Sequence, residues 1–253
     1  MVVSLFLLGF ACGPLCASPL SEIYGRVRVV QSWNLLYLAF NAACGAAQSK
    51  EALLVLRFVA GLFGSATLRI GGGTLSDLFY AKDRGKAVAI YSWSPILSPV
   101  VGAIAGGFIS QHTTWRWNFW ACSLLGVLIQ AWELFFLQET YPPLILRRKK
   151  KRLIERTGNT ALYTEFDYLD DAPTRVLSIN LVRPFKLLAT QPIVQVLALY
   201  NAYLYRNIYI LYADFVTLWT DVYNEPIQIA SLNYISIAIG SAIAAELCTL
   251  IND

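Results

Sequence analysis

The segment Gly13–Val30, GPLCASPLSEIYGRVRVV, decides how the rest of the chain is interpreted. Glu22, Arg26 and Arg28 form a short polar knot within it, and long apolar stretches lie on both sides. A surface loop of a water-soluble protein is rarely enclosed so closely by hydrophobic sequence. We therefore interpret the knot as a tight hairpin between two helices that cross a lipid bilayer.

The composition of the whole chain supports a membrane environment. Of its 253 residues, 57% are hydrophobic and only 14% are charged, whereas a soluble domain carries about 25% charged residues. A spanning helix needs about 20 mostly apolar residues. We therefore expect an all-helical membrane bundle with about seven spans, at residues 2–22, 29–48, 52–76, 87–110, 116–138, 192–220 and 227–251.

Lys and Arg are distributed unevenly among the gaps between these spans. Fifteen of the 20 lie in the gaps 23–28, 77–86 and 139–190, whereas the opposite side has only Lys50 and Arg116. Because basic loops stay on the cytoplasmic side, we expect those three gaps to be cytoplasmic. The basic run in the long gap has two interpretations: a solvated segment that fixes the topology, or a short helix on the anionic inner leaflet.

A seven-helix receptor has a similar outline, with its N-terminus outside and a long third cytoplasmic loop. The third span, which starts near Ala52, has no cysteine at its outer end, and the outer loop SQHTTWR has none either. The inner end of that span reads LSDLFYAKDRG rather than an acidic-Arg-aromatic triplet, and the last span lacks Asn-Pro-x-x-Tyr. These differences argue against a receptor.

The string SPLSEIYGRVR resembles the signature between the second and third helices of the major facilitator superfamily, in its fungal twelve-span drug:proton antiporter branch. Leu20, Gly25 and Arg26 match, and Glu22 stands at the acidic position. Glycine permits the tight turn, and an acid with an arginine can form a charged latch that breaks and re-forms as two halves rock. The residues that we assign to this gating latch are Glu22, Gly25, Arg26, Asp77 and Arg84.

Two further strings carry the resemblance. LVLRFVAGLFGSA resembles the fourth-helix signature, which implies a part for Arg57 in proton coupling; Gly61 in the same string allows close helix packing. SPVVGAIAGGFI resembles the fifth-helix antiporter signature through Gly102, Gly106 and Gly107. An ordinary contact between small residues explains these three glycines equally well.

The resemblance covers nearly the whole chain, and TTWRWNFWA and LQETYPP are its most branch-specific strings. The spans correspond to the family's second to eighth helices. This implies an N-terminal bundle at 1–138 without the first family helix, a cytoplasmic linker between the halves at 139–190, and the start of a C-terminal bundle at 191–253. We expect a truncated paralogue or a partial sequence, with transport impaired by truncation.

Some features depart from the family pattern or exclude other functions. Arg69, Arg206 and Asp214 lie within spans, and they either line the substrate cavity or mark relaxed constraint. The five cysteines lie in apolar runs and are interpreted as small buried hydrophobes. Since the sequence shows neither a nucleophile with its base nor a metal-ligand cluster, we expect no enzyme, no cofactor, no metal site and no nucleic-acid partner.

The resemblance implies a function as well as a fold. It implies proton-coupled efflux of small organic molecules by alternating access, in a multi-pass protein of the plasma membrane or, alternatively, the vacuolar membrane. The lipid bilayer, protons and the organic substrate are then its partners, and no oligomeric state is predicted. The second hypothesis is a truncated membrane protein that does not transport, or that only associates with other helices.

Overall fold

The computed structural model describes residues 2–159, 161–165 and 173–252, and within these residues it contains helices and no strands. The all-helical fold class expected from the sequence is therefore confirmed. The helices are α1 (Val2–Tyr24), α2 (Arg26–Ala46), α3 (Lys50–Gly64), α4 (Ala66–Leu78), α5 (Ala81–His112), α6 (Arg116–Phe136), α7 (Pro142–Thr157), α8 (Pro173–Thr190), α9 (Pro192–Asp221), α10 (Ile227–Leu232) and α11 (Tyr234–Asn252).

Five segments of the described chain are long and apolar enough to cross a membrane: Val2–Tyr24, Lys50–Leu78, Asp83–His112, Arg116–Phe136 and Ile227–Ala244. A sixth results if the helices on either side of Gln191 count as one broken span. The sequence led us to expect about seven. Helix α2 has 21 residues, but it is not among the five, because three amides, Gln31, Asn34 and Asn41, lower its apolar character.

The helix ends follow ordinary capping chemistry. The Ser49 side chain accepts a hydrogen bond of 3.2 Å from the Ala52 N–H, and Glu51 lies in the first turn of α3, where the helix dipole favours an acid. Helix α7 begins with two prolines and ends at Gly158, whose φ of 67° is left-handed. These signals make α7 a helix with definite ends inside a strongly basic segment.

The chain divides into two compact units, residues 1–87 with 119–190, and residues 88–118 with 191–253. In the first unit, α1 to α4 pack around the buried side chains Ala17, Val29, Val30, Trp33, Ala66 and Ile70. In the second unit, the Tyr234 hydroxyl donates to the Tyr212 carbonyl oxygen at 2.6 Å and its ring lies 4.9 Å from that of Phe215. The predicted linker at 139–190 contains α7 and α8, and the predicted division into two bundles stays a prediction.

The expected burial of the cysteines is correct for Cys44 and wrong for Cys12, Cys16 and Cys122, which are exposed. Helix α1 buries a face that includes Gly13 and Ala17. Each of the two cysteines of α1 directly precedes one of these residues and therefore points about 100° away from that face. The Cys248 side chain lies outside the described residues.

Candidate functional site

The candidate site begins with the turn between α1 and α2. Gly25 has a φ of 99°, a value that residues with a Cβ rarely adopt. A Cβ at this position would also collide with the Glu139 carboxylate and with the Leu144 side chain. Glycine is therefore required here for two reasons: it can adopt this backbone conformation, and it leaves space for Glu139 and Leu144, which follow α6.

Arg26, the first residue of α2, makes contacts to two other parts of the chain. Its Nε lies 2.6 Å from Asp77 Oδ2 near the end of α4, and both side chains are only 16% exposed. Its backbone N–H donates to Glu139 Oε1 at 3.0 Å, and its guanidinium lies 5.5 Å from the centre of the Tyr141 ring. We call Arg26, Asp77, Glu139 and Tyr141 the Arg26 latch.

Electrostatics explains why acids gather in the Arg26 latch. The first N–H groups of a helix have no partner within the helix and carry partial positive charge. Glu139 accepts from one of these donors on α2, and thus caps that helix from a position 113 residues away in sequence. Asp77 lies at the negative end of α4, where an unpaired acid is disfavoured, and the Arg26 guanidinium compensates its charge. The second oxygen of Glu139 is buried and has no hydrogen-bond partner.

The other predicted gate residues are placed around the Arg26 latch. Arg84 Nη2 donates to the Ser76 carbonyl oxygen at 3.0 Å, which fixes the start of α5 to the end of α4. Glu22 is exposed on the last turn of α1. The structure thus brings Gly25, Arg26 and Asp77 together and places Arg84 beside them. The Arg26 side chain pairs with Asp77, and the Arg26 backbone N–H donates to Glu139.

Arg57 is the second candidate site residue, and it lies on α3 within the apolar segment Lys50–Leu78. Its guanidinium carbon is 4.3 Å from the centre of the Phe119 ring and 5.5 Å from that of Phe6. Its Nε is buried and has no hydrogen-bond partner. Among the residues that the structure describes, the charge of Arg57 is therefore held by the faces of aromatic rings and not by a carboxylate.

Close packing of α1 against α3 holds Arg57 in this position. A Cβ at Gly61, one turn after Arg57, would collide with the Phe6 carbonyl oxygen, and a Cβ at Gly9 would collide with that of Phe58. The two backbones approach this closely only because both positions are glycine. Phe6, whose ring centre lies 5.5 Å from the Arg57 guanidinium carbon, is thus carried on a helix that packs directly against the helix of Arg57.

The remaining residues predicted from the sequence make fewer contacts with the rest of the protein. Gly107 packs against Ser231 of α10, whereas a Cβ at Gly102 or Gly106 would meet no described atom within 4 Å. Three charged side chains within apolar helices are exposed at the protein surface: Arg69, Arg206 and Asp214. Arg69, which lies in the same compact unit as Arg26 and Arg57, is not part of the Arg26 latch or of the aromatic site around Arg57.

The sequence interpretation missed several contacts that the structure shows. Glu139 and Tyr141 lie in LQETYPP, which was noted for its family resemblance without a role for either residue. An acid just after the end of a span, followed by an aromatic residue and two prolines, was the available signal. A second missed feature is Asn41, whose buried amide donates to Ser123 Oγ at 2.9 Å and to the Phe119 carbonyl oxygen at 3.1 Å. These bonds join α2 to α6.

The chain was then compared with known proteins. The family model described as Major Facilitator Superfamily matches residues 1–251. No solved structure matches the chain.

Several fungal proteins are similar to nearly the whole chain. Efflux pump vrtL of Penicillium aethiopicum is 46% identical over 241 residues, which cover 95% of this chain and 48% of that protein. Efflux pump radE of Floropilus chiversii is 40% identical, covering 94% of this chain and 44% of that protein. MFS-type transporter oryF of Aspergillus oryzae is 38% identical, covering 99% of this chain and 52% of that protein. The chain thus spans about half the length of the curated relatives it matches.

Proposed function

Because the chain belongs to the major facilitator superfamily, and is thus an integral multi-pass membrane protein, we propose that it acts in the proton-coupled efflux of small organic molecules by alternating access. The names of two of the relatives above, which are efflux pumps, support efflux as the direction of transport. Transport requires neither a nucleophile nor a cofactor, which agrees with the absence of an enzymatic motif in the sequence.

The observation that carries this proposal is the Arg26 latch. It joins the start of α2, the end of α4 and the segment after α6 through one guanidinium and one backbone N–H. A hydrogen bond to a charged group contributes roughly 1.5–3 kcal/mol to stability. Contacts of this strength can hold one conformation and still break when the helices move, which is what a gate in an alternating-access cycle requires.

Arg57 supplies the second element, proton coupling. A cation inside a membrane is costly and usually faces a partner or a wet cavity. The rings of Phe6 and Phe119 stabilise this charge without neutralising it. The electrostatic energy of the Arg57 cation therefore changes when a proton or another charged group approaches it. We assign to Arg57 the electrostatic link between protonation and transport.

The membrane and the orientation complete the proposal. We place the protein in the plasma membrane, with the vacuolar membrane as the alternative. The gaps 23–28, 77–86 and 139–190, which hold most of the basic residues, face the cytoplasm. In this orientation the Arg26 latch closes the cytoplasmic side of the helices.

The test uses a chimera of full length, in which these 253 residues replace the matching segment of the vrtL pump. Vesicles that contain the chimera should export an organic substrate of that pump in a manner that depends on a pH gradient. Arg26→Ala should reduce this export to background because it removes the cation that joins Asp77 to α2. Arg28→Ala is the matched control, since Arg28 is an exposed arginine two residues further along the same helix.

Two results would contradict the proposal. If Arg26→Ala and Arg28→Ala reduce export equally, the latch has no specific gating role. If the unmutated chimera inserts into the membrane but does not move substrate, the segment does not support transport, and the hypothesis of a helix-association partner is favoured.

A further inference from the structure

The role proposed for Arg57 depends on the position of the Phe119 ring. The centre of this ring lies 4.3 Å from the Arg57 guanidinium carbon, closer than the 5.5 Å of Phe6. Phe6 is held by the close packing of α1 against α3, but Phe119 lies on α6. The contacts of α6 with α2 supply the support that the Phe119 ring needs.

Helices α2 and α6 meet along a seam with three levels. At the two outer levels a glycine lets a large side chain of the other helix come close, because a Cβ on the glycine would collide with it. At the middle level two polar side chains share a buried hydrogen bond. The paired residues are Gly45 with Trp120, Asn41 with Ser123, and Leu38 with Gly126. Successive levels are three or four residues apart on both helices, which is the spacing of one helical face.

Asn41, at the middle level of the seam, is only 2% exposed. Its Nδ2 donates to Ser123 Oγ at 2.9 Å and to the Phe119 carbonyl oxygen at 3.1 Å, which uses both hydrogens of the amide nitrogen. If α6 slid along α2 by one turn, apolar contacts of the seam could re-form, but Asn41 would lose both acceptors in a buried position. A single buried polar residue of this kind fixes the register of two packed helices.

The register of α6 decides where the Phe119 ring lies. The carbonyl oxygen that Asn41 holds and the ring that lies over Arg57 belong to the same residue. A rotation of α6 by one residue would turn that ring by about 100°. A cation is stabilised by an aromatic ring only over the ring face and within about 6 Å of its centre. A small movement of α6 would therefore remove the stabilisation that Phe119 gives to the Arg57 charge.

Given the coupling role proposed for Arg57, on which this inference rests, we propose that Asn41 is a positioning residue for proton coupling. It holds α6 in register on α2 and thereby keeps the Phe119 ring over the Arg57 guanidinium. Loss of Asn41 should therefore reduce the dependence of transport on the pH gradient more than it reduces the movement of substrate itself.

The first experiment uses the full-length chimera with the vrtL pump and compares Asn41→Ala with Asn34→Ala. Asn34 is the matched control, because it lies two turns earlier on α2 and its Nδ2 donates to Glu133 Oε2 at 3.4 Å, so that it also joins α2 to α6. Glu133 lies 14 residues beyond Phe119 in the sequence. The measurements are efflux driven by a pH gradient, and exchange of labelled substrate at equal pH on both sides of the membrane.

Asn41→Ala should lower gradient-driven efflux about tenfold and substrate exchange by less than about twofold, since the loss of one or two buried hydrogen bonds has an effect of this order. Asn34→Ala should change the two rates by the same factor. Asn41→Ser can still donate one hydrogen bond and should lose about threefold in gradient-driven efflux, and it serves the same comparison if Asn41→Ala does not insert. Equal losses of both rates at Asn41 would overturn the proposal, because they would show a structural role only.

A substitution of the ring shows whether Asn41 acts through Phe119. Phe119→Leu should lower gradient-driven efflux by a factor similar to that of Asn41→Ala. Adding Asn41→Ala to Phe119→Leu should cause no further loss, because the ring that Asn41 positions is already gone. Losses that multiply in the double variant would contradict the proposal, since Asn41 would then act elsewhere.

A measurement on the purified 253-residue chain separates a failure of this inference from a failure of the transport proposal. Double-mutant cycles of Arg57→Gln with Phe119→Leu, measured by denaturation, give the coupling between these two residues. This coupling should fall to less than about half in the Asn41→Ala background and stay unchanged in the Asn34→Ala background. If the unmutated chimera shows no gradient-driven efflux, the coupling role of Arg57 is wrong, and a fall in the purified chain leaves Asn41 a structural residue that places Phe119. An unchanged Arg57–Phe119 coupling in Asn41→Ala overturns the positioning role whatever the chimera does.

Discussion

Arg26 and Arg57 lie in the same compact unit, yet the protein compensates their charges in different ways. Arg26 pairs with Asp77 at the end of one helix and is held near Glu139, whereas Arg57 lies against two phenylalanine rings inside an apolar segment. An ion pair fixes both of its members in one geometry. A ring face stabilises a cation without a fixed partner. We therefore expect Arg26 to hold a conformation and Arg57 to respond to charge.

The first prediction tests the responsive arginine, and its expected effect is the largest. In the full-length chimera, Arg57→Ala should abolish efflux driven by a pH gradient while leaving membrane insertion intact, because the cation held by Phe6 and Phe119 is lost. Arg57→Lys should restore part of the activity, since it returns the charge without the planar guanidinium that stacks on Phe119. The measurements are initial efflux rates and the amount of chimera in the membrane.

Arg69→Ala is the matched control for this prediction. Arg69 lies in the same apolar segment, Lys50–Leu78, but its side chain is exposed. Its replacement should leave the dependence on the pH gradient unchanged. Full gradient-driven efflux in the Arg57→Ala variant would remove Arg57 from the coupling mechanism and leave it a packing role only.

The second prediction concerns the turn that makes the Arg26 latch possible. Gly25→Ala should destabilise the purified chain by about 2–4 kcal/mol, because a left-handed φ is strained and the new Cβ collides with the Glu139 carboxylate and Leu144. Gly158→Ala is the matched control, with a φ of 67° and no atom within 4 Å of the added Cβ. It should cost about 1 kcal/mol from backbone strain alone.

Denaturation of the two glycine variants in detergent, followed by circular dichroism, separates these contributions. If Gly25→Ala and Gly158→Ala lower the stability equally, the space beside Gly25 is not occupied by the Glu139 segment, and the latch geometry is wrong.

The sequence allowed the local parts of both sites to be predicted, but not their partners. The tight turn at Gly25 and the cost of Arg57 in a span follow from residue type and position. The pairing of Glu139 with the Arg26 N–H joins residues 113 positions apart, and helical periodicity shows which face of a helix is apolar but not which helix covers it. Phe6 and Phe119 are ordinary members of apolar runs, so nothing in the sequence marked them as the rings around Arg57.

The span count shows the same limit at a larger scale. Length and hydropathy identified most of the spans, because these properties are local. Helix α2 is less apolar than the others, and its amides find their partners only in the folded structure, as with Asn41 and Ser123. Polar residues inside a helical bundle lower the hydropathy of a segment that still packs among spans.

The last prediction asks which acid is the partner of Arg26, and its expected effect is the smallest. The family signature favours Glu22, whereas the structure places the guanidinium on Asp77. Double-mutant cycles of the purified chain combine Arg26→Gln with Asp77→Asn or with Glu22→Gln, which are neutral replacements of nearly equal size.

Because the Arg26–Asp77 pair is only partly exposed, its coupling energy should be about 1–2 kcal/mol, above the usual value for surface pairs. The coupling to Glu22, which is exposed, should be below about 0.3 kcal/mol. If the coupling energy to Glu22 is the larger one, Glu22 is the gating acid and Asp77 is a solvated neighbour. If the two coupling energies are equal, Arg26 exchanges between the two acids, and the latch has two closed forms.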